Sequence, residues 1–99
     1  NTTISSVLAG PGQAKYRVPW VLRIKGYSLG EEPGSVLAGG TPLDGQVLSW
    51  SPQLIEFAPD RLPAEGTMIE VVAGGETTRA VPLIHEQQAL GAASWVLYR

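Results

Sequence analysis

Three apolar runs stand close together in the middle of the chain: Ile24-Lys25-Gly26-Tyr27-Ser28-Leu29-Gly30, Val36-Leu37-Ala38-Gly39-Gly40-Thr41-Pro42-Leu43 and Val47-Leu48-Ser49-Trp50-Ser51-Pro52-Gln53-Leu54-Ile55-Glu56-Phe57. Each is broken by glycine or proline, the residues that set turn geometry, so a helix of ordinary length does not fit. The same punctuation continues outward, at Gly10-Pro11-Gly12, Pro33-Gly34, Asp44-Gly45, Pro59, Pro63, Glu65-Gly66 and Gly74-Gly75. Turns recurring about every eight to twelve residues predict an all-β sandwich or barrel.

The segments between the turns are the expected strands: Ile4–Ala9, Val18–Lys25, Ser35–Ala38, Gln46–Trp50, Gln53–Ala58, Met68–Ala73, Thr77–Ile84 and Ser94–Tyr98. Most are rich in Val, Ile, Thr, Trp and Tyr, which suit a pleated, half-buried surface. Alternation assigns their faces. Leu22 and Ile24 point inward with Trp20 continuing their side, while Arg23 and Lys25 point to solvent. Ile55 and Phe57 face the core opposite Glu56, and Ile69 and Val71 opposite Glu70. Met68–Ala73 and Thr77–Ile84 are expected to form a hairpin, because Gly74-Gly75 supplies the positive φ that tight turns require. His85–Ala93 has moderate helical propensity but meets Gly91 within about two turns, so a loop or one helical turn is expected.

Composition narrows the function. The chain has 99 residues, 43% of them apolar and 16% charged, which is enough for one domain with one core. A net charge of −2 without any basic cluster excludes the electrostatic footprint of a nucleic-acid partner. The absence of cysteine rules out disulfides, thiolate metal sites and a cysteine nucleophile. Apolar stretches such as Val18-Pro19-Trp20-Val21-Leu22 fall far below the roughly 20 residues that a membrane-spanning helix needs.

The segments also resemble, in order, the IPT/TIG family of immunoglobulin-like domains. Ile4-Ser5-Ser6-Val7 before Gly10-Pro11-Gly12 is similar to the family's first strand and turn. Leu22–Gly30 is similar to its strand ending in Gly-x-Asn/Ser-Phe/Leu-Gly, and Val36–Pro42 to its Val-x-x-Gly-Gly-x-Pro. Val47–Ile55 and Leu62–Gly75 supply the remaining pieces, so the likeness covers Ile4–Ile84. It implies an immunoglobulin-like β-sandwich of seven to eight short antiparallel strands. Residues 85–99 run beyond the family pattern and are expected as a C-terminal extension that adds an edge strand to the single domain 1–99.

Little in the chain suggests catalysis. His85 is the sole histidine, and a metal or triad role would need partners that the sequence does not announce. Glu31, Glu32 and Asp44 read as solvated turn acids, since no Asp-x-Asp-x-Asp-Gly run is present. No catalytic residue, metal or cofactor is therefore expected. Aromatic side chains stack on sugar rings, and some IPT/TIG-like domains accompany polysaccharide-active enzymes. Tyr27, Trp50 and Trp95 are accordingly the candidate ligand-binding residues. The leading expectation is a non-catalytic module of a larger bacterial surface or secreted protein, extracellular or periplasmic. It would space neighbouring domains of its chain or bind a protein partner through an edge strand or loops. The alternatives are a carbohydrate-binding accessory module and a structural domain of a virion or secretion assembly.

Overall fold

The computed structural model describes residues 1–12 and 17–86, and within them every regular element is a strand. They are β1 (Thr3–Pro11), β2 (Trp20–Tyr27), β3 (Ser35–Ala38), β4 (Thr41–Pro42), β5 (Gly45–Trp50), β6 (Leu54–Pro59), β7 (Met68–Ala73), β8 (Glu76–Thr77) and β9 (Val81–His85). Strands β1, β2, β6 and β5 form one sheet by antiparallel pairing. Strands β4, β3, β7 and β9 form the other, with β8 folded back on β7. These are the A-B-E-D and C-F-G sets of an immunoglobulin-like sandwich, with β4 as an added edge on the second sheet. The expected all-β, immunoglobulin-like class is thus the observed one, with nine strands among the described residues in place of seven to eight and one parallel pairing, β1 with β9, among the antiparallel ones. The expected edge strand in 85–99 lies outside the described residues beyond Glu86, while His85 itself ends β9.

The alternation predicted for the longer strands is observed. Leu22, Ile24, Ile55, Phe57, Ile69 and Val71 are buried in one cluster with Ile4, Val7, Leu29, Val36 and Leu83. Arg23 and Glu56, paired across β2 and β6, lie on the outer face at 3.6 Å, and Ser49 Oγ donates to the same carboxylate. An exposed pair of this kind contributes about 0–1 kcal/mol. Trp20 departs from expectation. It has the inward parity of Leu22, but it is the first residue of β2 opposite Pro11, at the rim, where it is half-buried and outside the core cluster.

The hairpin after β7 is also refined. Gly74 and Gly75 have φ of 59° and 82°, and Ala73 pairs with Glu76 across them. The return strand, expected as one run over 77–84, divides into β8 and β9. Thr78 causes the division. Its amide donates to the Val71 carbonyl at 2.9 Å, and its hydroxyl accepts the Val71 amide at 3.0 Å. A side chain thereby takes the place of a ladder carbonyl. The register moves by one residue, from Val72 opposite Thr77 to Ile69 opposite Val81.

Beyond that shift, β9 serves both sheets. Val81 and Pro82 pair with β7, while Leu83, Ile84 and His85 run parallel to Val7, Leu8 and Ala9 of β1. The backbone of Leu83 also donates to Thr67 and accepts from Gly66, both at 2.8 Å.

Two substitutions test this framework. Thr78 is the one buried polar residue among those described, at 4% exposure. Thr78→Val keeps the shape but strands the Val71 amide, and should lower unfolding free energy by about 1–3 kcal/mol. The readout is a shifted urea midpoint at unchanged slope. Gly26 lies against β1, where a Cβ would overlap the Thr3 carbonyl oxygen. Gly26→Ala should therefore destabilise by about 1–3 kcal/mol, measured the same way.

Candidate functional site

Strands β1, β2, β5 and β6 bring four chain segments together at one end of their sheet. Tyr27 closes β2 opposite Thr3, Lys25 lies opposite Ser6 and Leu54, and Trp50 closes β5 opposite Ile55. Two of the three candidate aromatics, Tyr27 and Trp50, thus share this end. Trp95 lies outside the described residues.

The segment carrying Tyr27 is held at many points. Ser28 is in the left-handed region at φ 58° and Gly30 at φ 80°, so the chain turns sharply after β2. Leu29 is driven into the core by that turn. Its amide donates to the Pro52 carbonyl at 2.9 Å, and the Gly26 amide donates to the Gln53 carbonyl at 3.0 Å. The Thr2 hydroxyl donates to the Ser28 carbonyl at 3.1 Å. On the facing side, the Ser51 hydroxyl accepts the Leu54 amide and donates to the Leu54 carbonyl, both at 3.1 Å, closing the β5–β6 turn.

The two aromatics have different surroundings. The Trp50 indole N–H donates to the Leu29 carbonyl at 2.8 Å, and its half-buried ring packs against the core. Its polar handle is used internally, as a buried indole requires. Tyr27 is 61% exposed on the outer face. It lines an open depression together with Ser5, Lys25, Gly26, Gln53 and Leu54.

The opposite end of the sandwich holds the histidine. His85 Nε2 donates to the Pro63 carbonyl at 2.8 Å, and its backbone amide reaches a Glu65 carboxylate oxygen at 3.3 Å. A ring nitrogen donating to a carbonyl acts as a strand-end tether. Glu31, Glu32 and Asp44 are exposed, and the Asp44 carbonyl accepts the Asp60 amide in a turn. Among the described residues no three His, Cys, Asp or Glu side chains converge as metal ligands. Sequence reasoning missed Lys25, Gln53 and Ser5 as companions of Tyr27. The apolar–charged alternation located Lys25 on the outer face, but only the sheet register brings Gln53 and Ser5 to it.

No protein-family model matches the chain, and no curated protein matches it. Among solved structures, it is similar to the crystal structure of gamma-CGTase from Alkalophilic bacillus clarkii, at 26% identity and a TM-score of 0.61. The likeness covers 85% of this chain and 12% of that one.

Proposed function

We propose that this chain is a non-catalytic accessory module of a larger bacterial secreted or surface protein, of the IPT/TIG kind, which spaces and docks neighbouring domains. The observation that carries this reading is the proportion of the likeness to gamma-CGTase, 85% of this chain against 12% of that one. A carbohydrate-active enzyme chain thus contains, as a small part of itself, a unit resembling this sandwich. Reaction chemistry in such an assembly belongs to other domains, and the sandwich acts as a rigid body between them.

The arrangement of polar groups supports the same role. The histidine is tethered to a main-chain carbonyl, and no buried side-chain nitrogen or oxygen among the described residues lacks a partner. A catalytic centre usually leaves such groups free or perturbed. Loop ends are favoured over sheet edges as the docking surface. The edge strand β4 is two residues long and ends in Pro42, and the edge strand β5 is bulged at Leu48. Short, bulged and proline-marked edges resist addition of a further strand.

The test uses the 99-residue chain alone. It should unfold in urea as one cooperative transition with a slope of about 1–3 kcal/mol/M, and yield no reducing ends or transglycosylation products from soluble starch. Turnover that survives repurification would overturn the non-catalytic reading.

A further inference from the structure

The depression around Tyr27 has features that a spacer does not need. Tyr27 follows the parity of Arg23 and Lys25, which places it on the outer face of the sheet, and it makes no contribution to the core cluster. Tyr27 is 61% exposed, so its ring contributes little to folding there. Ser5, Lys25, Gly26, Gln53 and Leu54 line the depression with it. The depression measures about 410 Å³, at the lower end of small-molecule clefts and open to solvent.

Three irregularities build it. Ser5 is the extra residue of a bulge in β1, lying between Ile4 opposite Gly26 and Ser6 opposite Lys25. Its hydroxyl donates to the Lys25 carbonyl at 3.2 Å, which directs the bulge toward the depression. Gly26 lets the β1 backbone close in. Ser28 holds a left-handed conformation that disfavours most residues other than glycine. Bulges and left-handed residues recur where a backbone re-aims a side chain for a task. Here they converge on one exposed tyrosine.

We propose that this depression is a binding site for a neutral sugar chain, with Tyr27 as the stacking platform and Lys25, Gln53 and Ser5 as hydroxyl partners. A pyranose ring offers an apolar face of C–H bonds and a rim of hydroxyls. An aromatic face bordered by an amide, an ammonium and a hydroxyl matches both. The partners are mixed donors and acceptors with one positive charge among them, and that composition suits hydroxyls better than a run of carboxylates. Trp50 takes no part in stacking; through its bond to Leu29 it fixes the turn that presents Tyr27. The site is separable from the accessory role, which stands whether or not the domain holds a glycan.

The experiment is a titration of the 99-residue chain, followed by amide chemical shifts, with maltohexaose, cellohexaose and hexagalacturonate in parallel. The expected result is saturable shifting with at least one neutral hexasaccharide, centred on Lys25, Gly26, Tyr27, Gln53 and Leu54. Tyr27→Ala should weaken it by at least roughly tenfold, and Tyr27→Trp should retain it. Both variants alter an exposed ring, so their spectra should otherwise match the parent and their urea midpoints stay in place. Absence of shifts at millimolar neutral sugar, or shifts that survive Tyr27→Ala, would overturn the site. Binding of hexagalacturonate alone, abolished by Lys25→Gln, would overturn stacking in favour of an ion pair.

Discussion

Two sheets stacked face to face keep one separation only if something ties them, and in this chain the tie is β9. Its first residues, Val81 and Pro82, pair with β7 of one sheet, and Leu83 to His85 run beside β1 of the other. The side chain between these two duties, Leu83, is fully buried, while its backbone holds Gly66 and Thr67. Ile4, Val7 and Ala9 of β1, Leu22 and Ile24 of β2, and Ile69, Val71 and Ala73 of β7 share one buried cluster with Leu83 of this strand. Pro82 suits the point of exchange, because a residue without an N–H leaves a ladder at no loss of a donor. Thr78 prepares the exchange four residues before Pro82 by replacing a main-chain acceptor with its hydroxyl. A short polar side chain thus decides where one strand ends and the tying strand begins.

That device explains which parts of the fold were legible in the sequence. Alternation reports faces, so Leu22, Ile24, Ile55, Phe57, Ile69 and Val71 were assigned correctly from parity alone. Paired glycines report tight turns, so the reversal at Gly74-Gly75 was equally plain. Neither signal reports a change of partner. The run from Thr77 to Ile84 has the composition of one strand, and its division follows from a hydrogen bond between residues 71 and 78 that no periodicity encodes. Strand β4 was missed for another reason: two residues ending in proline carry no pattern at all. Trp20 shows the limit of parity itself, since a strand's first residue has the inward direction without the surrounding core.

The candidate site was legible only in its centre. Composition singled out Tyr27 and Trp50 alike, as aromatics near turns, and had no means to separate them. The separation comes from a carbonyl 21 residues from the indole that accepts its N–H. Ser5 and Gln53 belong to strand and turn segments that the sequence leaves far apart, and the β1 bulge brings the first of them to Lys25. Contacts set by register between distant strands are the part of a β fold that local patterns omit.

A purely structural account of the Tyr27 end would run through Leu29. The open end of a sandwich exposes the last layer of its core, and Leu29, folded inward by the turn after β2, plugs it. Trp50 and the Pro52 carbonyl secure the plug. This accounts for the glycine at position 30 and for the indole bond, the latter contributing on the order of 1 kcal/mol to holding the end shut. It does not account for residue 27. The plug requires only that position 27 continue the outer face, where a lysine or threonine would serve at lower cost in exposed apolar area. Nor does it call for the bulge at Ser5, which lies on the far side of β2 from Trp50 and turns its hydroxyl toward Lys25 rather than toward Leu29. The plug explains why the end is rigid, and a ligand explains what the rigidity presents.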